Sequence, residues 1–199
     1  LTGLGEKFFC AGANIDMLSK ADPVWKYYFC LHANETLLRL EHTPKLVIAA
    51  LNGHCVGGGL EIAMAADIRI ARKDGGQIGM PEVALGVLPG TGGTQRFARL
   101  VGRTKAIELM ATGRKFSYEE ALEMGAVNYI YEGKGAEFME QVMAYAKQFT
   151  TPHKAAMAVG HIKRSVQTGL EVGLEQGLAL ERELQSLLFK SADAKEGLM

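Results

Sequence analysis

No stretch of this chain is apolar for long enough to span a membrane. Cysteine is scarce. Cys10, Cys30 and Cys55 are the only three, and none stands at the short paired spacing of a metal site. An odd number of thiols reads as reduced cysteine in a cytosol-like compartment, cytoplasmic or, in a eukaryote, the mitochondrial matrix. Each thiol is expected to pack as a small buried hydrophobe. An excess of one charge is also missing: Lys plus Arg is 22 and Asp plus Glu is 22. That balance argues against a nucleic-acid footprint. His32, His42, His54, His153 and His161 never fall at His-x-x-x-His spacing, so no metal is expected. A Gly-x-Ser-x-Gly elbow and a Gly-Lys-Ser/Thr loop are both absent, which removes the usual serine hydrolase and the phosphate-loop nucleotide enzyme.

Glycine and carboxylate are what the chain does have. Glu61 closes Gly57-Gly58-Gly59-Leu60-Glu61, and Glu82 closes Gly79-Met80-Pro81-Glu82. Ahead of the triplet, residues 46–51 are continuously apolar and read as a buried strand. Residues 60–66 after it are good helix formers. Glu61 is therefore expected in the first turn of a helix that leaves a core strand, where backbone N–H groups lack intrahelical partners. Free N–H groups beside a carboxylate are the parts of a site that stabilises an enolate and moves protons. Taken singly, Glu61 would read as a charge complementing the helix dipole, worth ~0.3–1 kcal/mol, and Glu82 as a solvated loop carboxylate. The pair, on two consecutive strand-exit loops, points to a site. A dinucleotide fingerprint does not fit, because Ile62 stands where its third glycine belongs.

The rest of the pattern is α/β at first and helical later. Asp22-Pro23 reads as a helix start, and apolar residues recur at helical spacing from Val24 to Leu38. Strands are expected at 67–71 and 127–131, with a short extended piece at 77–79. Helices follow from Gln95 onward, one of them opened by a Ser117–Glu120 capping box and closed at Gly125. Further helices are expected at 135–149, 153–168 and 171–190, the last with a broad leucine face. A soft boundary near Thr150-Thr151-Pro152 divides a core of residues 1–150 from a helical region of 151–199. Both ends read as truncated: Leu1–Gly5 looks like the end of a strand, and the chain stops soon after a long helix.

Three linked motifs carry a resemblance. They are Phe9-Cys10-Ala11-Gly12-Ala13-Asn14-Ile15, then Asn52-Gly53-His54-Cys55-Val56 running into the glycine triplet and Glu61. The third is Gly79-Met80-Pro81-Glu82-Val83 with Leu85-Gly86, Pro89-Gly90 and Gly92-Gly93-Thr94-Gln95-Arg96. In order and spacing the chain resembles the crotonase superfamily, and within it the enoyl-CoA hydratases. The resemblance implies a spiral of β-β-α turns with a C-terminal helical region for trimerisation, and a homotrimer or a dimer of trimers. It implies an acyl-CoA thioester substrate, with coenzyme A as part of that substrate and no separate cofactor. The oxyanion-hole N–H groups map onto Ala13 and Gly58, and the two catalytic acids onto Glu61 and Glu82. Ala11, Gly12, Ile15, Gly57, Pro81, Leu85 and Gly90 map onto substrate-binding positions.

With both acids present, hydration is the leading expectation: Glu61 acts as base toward water and Glu82 as acid at Cα. The alternatives are an enoyl-CoA isomerase, another acyl-CoA enzyme of the same fold, or a nucleic-acid-binding or non-catalytic homologue. The nucleic-acid reading would need a lysine-rich helix, yet residues 23–40 hold only Lys26 and Arg39. Two departures from the family pattern stand out. Asn14 occupies a position where relatives often carry Asp. The family's opening strands, and the tail that helps to close the acyl pocket, are expected to be missing.

Overall fold

A computed structural model describes residues 1–199. In chain order β1 (Phe8–Cys10) is followed by α1 (Ile15–Ser19) and α2 (Pro23–Glu41), then β2 (Ile48–Leu51), β3 (His54–Val56) and α3 (Gly58–Met64). Next come β4 (Ile68–Arg72), β5 (Ile78–Gly79), a 3-10 turn (Glu82–Leu85), α4 (Gly93–Val101), α5 (Arg103–Thr112), α6 (Tyr118–Glu123) and β6 (Tyr129–Tyr131). The strands make two parallel sheets, one ordered β2-β4-β6 and the other β1-β3-β5. Successive strands alternate between the sheets, and helices follow each pair. This is the expected spiral of β-β-α turns.

The second half of the apolar run at 46–51 is buried, as expected of a parallel strand covered on both faces, while residues 46–48 are partly covered. Ala49, Ala50 and Leu51 are buried in β2, and β4 sets Ile70 and Ala71 opposite Ala50 and Leu51. Phe97 and Phe116 stack with ring centroids 6.2 Å apart in the same core. Fully burying a side chain such as Leu60 contributes roughly 1.5–3 kcal/mol. Polar groups then fix the corners. Asn52 accepts from Gly3 N and donates to the carbonyls of Gly3 and Gly5, which sets the approach to β1. The Tyr118 hydroxyl donates to the Gly53 carbonyl at 2.5 Å, holding the β2–β3 corner.

Local capping follows the sequence. Trp25 N donates to Asp22 at the start of α2, and both bonds of the Ser117–Glu120 capping box are present. Two short helices were not expected. Asn14 caps α1 by accepting from Met17 N, and Ser191 caps α10 (Ala192–Gly197) by accepting from Ala194 N. The cysteine expectation needs correcting. Only Cys55 is buried, where burial pushes its thiol up, whereas Cys10 and Cys30 are partly covered.

The chain forms two compact units. One holds Leu1–Leu40 and Val47–Val142, the other Glu41–Leu46 and Met143–Met199. The division comes inside α7 (Gly135–Lys147) rather than near residue 150. Residues 41–46 join the helical unit because Lys163 donates to the Lys45 carbonyl at 3.0 Å and the Pro44 carbonyl fills the place of a side chain on Gly160. Within that unit α8 (Ala156–Gly169) and α9 (Leu174–Leu188) pack on each other and α10 follows. No helix of the chain is long and apolar enough to cross a membrane.

Candidate active site

Parallel pairing brings the site together. β1, β3 and β5 run in one direction, so all three end on the same side. Their exits are residues 11–13, 57–58 and 80–82, set next to one another at strand ends where parallel sheets commonly hold ligands. A bond from Gly57 N to the Gly79 carbonyl, 2.9 Å, ties the second exit to the third. The Cys10 carbonyl stands 2.2 Å from the place of a Gly59 Cβ, so α3 can begin against β1 only with glycine there.

The first and second exits meet at Gly58. The Gly12 Cα is 3.5 Å, and the Ala13 nitrogen 3.6 Å, from the place of a Gly58 Cβ. Gly58 opens α3 and so has no intrahelical acceptor for its N–H. Neither this N–H nor that of Ala13 donates to another group of the chain. Both expected oxyanion donors are thus adjacent and available.

Glu61 lies in the first turn of α3 and is only 3% exposed. Its carboxylate is received by the loop before α4. Oε1 accepts from Thr91 N at 2.8 Å and Gly93 N at 2.7 Å, and Oε2 is bonded to the Thr91 hydroxyl. Gly93 is crowded by Pro89, Met80 and Glu61 itself, all within 2.8 Å of where a side chain would start, so only glycine allows this approach. Arg96 of α4 donates to the Thr91 carbonyl at 3.3 Å. The far end of α3 is held by Arg69, whose guanidinium donates to the carbonyls of Ala66 and Ala126 at 2.7 Å each. A cation at a helix C-terminus also suits the dipole.

Glu82 opens the 3-10 turn after β5. Its Oε2 is buried with no hydrogen-bond partner. Burial pushes this carboxyl above the usual range and the Glu61 charge adds to the effect, while its own backbone bond and Lys26 of α2 oppose it. Its Oε1 stands beside Gly57, as Oε2 of Glu61 stands toward Gly58. A carboxyl biased to keep its proton therefore shares one glycine step with a carboxylate held by donors. Pairs whose environments differ in this way divide into acid and base.

The other expected positions are spread along the same exits. Gly12 lies close to the backbone of Gly57 and Gly58, and Pro81 precedes Glu82. Gly90 faces Cys30, whose sulfur is 3.1 Å from the place of a Gly90 Cβ. Ala11 is exposed, and the side chains of Ile15 (63%) and Leu85 (60%) stand largely in solvent. Thr91 was missed by sequence reasoning. Its signal was a hydroxyl directly ahead of Gly92-Gly93 at a helix start, where side-chain and backbone donors converge. A separate cleft of about 530 Å³, with charged walls that include Arg72, Lys73 and Glu132, shares none of these residues.

A family model described as enoyl-CoA hydratase/isomerase matches residues 1–199. The short-chain-enoyl-CoA hydratase of Clostridium acetobutylicum is 39% identical over 198 residues, covering all of this chain and 74% of that protein. The crotonyl-CoA hydratase of Syntrophomonas wolfei is 34% identical, with the same coverage of 100% and 74%. Among solved structures, an enoyl-CoA hydratase of Geobacillus kaustophilus superposes with a TM-score of 0.92 at 48% identity, over 96% of this chain and 71% of that one. The enoyl-CoA hydratase of Bacillus anthracis gives 0.91 at 35% identity, over 100% and 75%. Fold, strand-exit motifs and relatives agree: the chain belongs to the enoyl-CoA hydratase/isomerase family of the crotonase superfamily.

Proposed function

We infer that this chain is an enoyl-CoA hydratase, adding water across a trans-2-enoyl-CoA to give a 3-hydroxyacyl-CoA. The observation that carries the reading is the meeting of two unlike carboxyl groups and two unbonded N–H donors around Gly57-Gly58. The thioester oxygen accepts from Ala13 N–H and Gly58 N–H. As the water oxygen bonds to C3, negative charge moves through the double bond onto that oxygen. Fixed donors aimed at developing charge stabilise it by several kcal/mol. Glu61 takes the proton that water releases, and Glu82 supplies a proton to C2, collapsing the enolate. Both carboxyls stand at one glycine step, so both additions occur on one face, which is syn addition. A proton returned from Glu61 to Glu82 restores the starting state.

No further cofactor is required by this chemistry, because the backbone donors carry the charge and the coenzyme A arrives with the substrate. The chain works as a homotrimer or a dimer of trimers. Support comes from the helical unit, where Ile162, Val166, Leu170, Leu174 and Leu178 are exposed on α8, α9 and the turn between them.

A product assay tests the reading. In isotopically labelled water, a trans-2-enoyl-CoA should become a 3-hydroxyacyl-CoA carrying one labelled oxygen. Migration of the double bond in a 3-enoyl-CoA, with no hydration of the 2-enoyl isomer, would instead mark an isomerase.

A further inference from the structure

The two oxygens of Glu61 are held differently. Oε1 accepts from two backbone N–H groups, Thr91 N at 2.8 Å and Gly93 N at 2.7 Å. Those donors are fixed by the loop, and neither can turn into an acceptor. Oε2 has one partner, the Thr91 hydroxyl. A hydroxyl can donate or accept, depending on how its hydrogen is rotated. Oε2 is also the oxygen on the Gly58 side, 3.8 Å from the place of a Gly58 Cβ, whereas Oε1 lies against Gly93.

We propose that Thr91 is a positioning residue that assigns separate tasks to the two oxygens of Glu61. Oε1 is the anchor, and Oε2 is the oxygen that takes the proton from water. While Glu61 is ionised, the Thr91 hydroxyl donates to Oε2. When the water proton arrives at Oε2, the hydroxyl rotates and accepts from the new O–H. Thr91 keeps its own hydrogen throughout, so the proton balance lies between water, Glu61 and Glu82. The carboxyl is kept in one orientation in both protonation states. Two fixed N–H donors alone would hold only the ionised form well. This inference rests on the reading of Glu61 as the base.

The charged and titratable groups around Glu61 are few. Glu82 lies in the turn after β5, where the Glu61 charge acts on it. Arg96 of α4 reaches the Thr91 carbonyl, and Lys26 of α2 acts on Glu82. Removing the Thr91 hydroxyl takes away the partner that follows Oε2 through both protonation states and leaves only Oε1 anchored.

The experiment compares Thr91→Val, Thr91→Ala and Thr91→Ser, measuring kcat and KM for hydration of a short trans-2-enoyl-CoA. Losing a hydrogen bond to a charged group should lower kcat by about ten- to a hundred-fold in the Val and Ala variants. KM should change little, so that the loss falls on kcat. Thr91→Ser should keep the parent kcat. Melting curves identify any variant that fails to fold, and the remaining one then decides. Near-parent kcat in a folded Val or Ala variant would overturn the proposal. So would a Ser variant as impaired as Val. Glu61→Gln is run alongside: if it hydrates normally, the base assignment itself fails. If it is dead while Thr91→Val is normal, only the role of Thr91 falls.

Discussion

Glu82 rests against Gly57, with its Oε1 2.8 Å from the point where a side chain on Gly57 would begin. The glycine backbone sits at φ 55° and ψ −129°, a region that other residues rarely adopt. One residue thereby supplies both the turn into α3 and the space for the second carboxyl.

Gly57→Ala should disturb both. The backbone strain costs about 1–3 kcal/mol, and the methyl group displaces the Glu82 carboxyl. A misplacement on the order of 1 Å at a reacting group costs about a hundred-fold in rate. Denaturant unfolding and steady-state hydration, measured on the same preparation, check the two effects. Parent turnover in the variant would mean that Glu82 does not need its place beside Gly57.

The Glu82 carboxyl sets a sign for stability against pH. Its pKa is raised in the folded chain, first by burial and then by Glu61, so the folded state holds this proton more tightly than the unfolded state. The contribution is full below the ordinary carboxylate value of about 4.3. It is lost as pH rises through the raised value. Glu82→Gln removes that titration. Urea unfolding between acid and neutral pH should show the parent losing stability relative to the variant as pH rises. A difference that grows toward acid would contradict the assignment.

Much of the site was legible because its motifs are local. A strand, a glycine triplet and an acid, all between residues 46 and 61, place Glu61 in a helical first turn without tertiary information. The meeting of Glu61 with Glu82 was not legible in the same way. It depends on β3 pairing with β5, which is two residues long and leaves no periodic trace. The Thr91 contact likewise needs a loop thirty residues away in sequence to fold back. α1 and α10, with five and six residues, are too short to show a repeat and are marked only by their caps, Asn14 and Ser191. On α2 the apolar spacing gave the helix but overstated its buried face. Leu37 is buried, while Val24, Tyr27, Tyr28, Leu31 and Leu38 are exposed in the single chain.

The oxyanion donors can be tested through Gly58, the first residue of α3. Proline is tolerated at this helical position because its missing N–H has no intrahelical partner. Gly58→Pro should therefore retain the helix and lose one donor, raising the barrier by at least ~2.7 kcal/mol. Circular dichroism confirms folding, and hydration kinetics measure the loss. Near-parent turnover in a folded variant would remove Gly58 from the oxyanion hole.

The proposed assembly would cover the apolar surface of the helical unit. Leu170 is 80% exposed and Leu174 77%, an arrangement that a stable assembly would cover. Sedimentation velocity at micromolar concentration should give a mass of three or six chains. A clean monomer would contradict the proposed assembly.

The central claim is that two carboxyl groups act together on one water, and the most direct test is the pair Glu61→Gln and Glu82→Gln. Hydration of a short trans-2-enoyl-CoA and isomerisation of a 3-enoyl-CoA are measured for each single variant and for the double. Each single change should lower hydration by roughly two to four orders of magnitude, the weight of a positioned acid or base. The double variant should fall far short of the product of the two losses, because residues that act as a unit are not additive. Full hydration activity in either single variant, or loss of isomerisation alone, would contradict the two-acid mechanism.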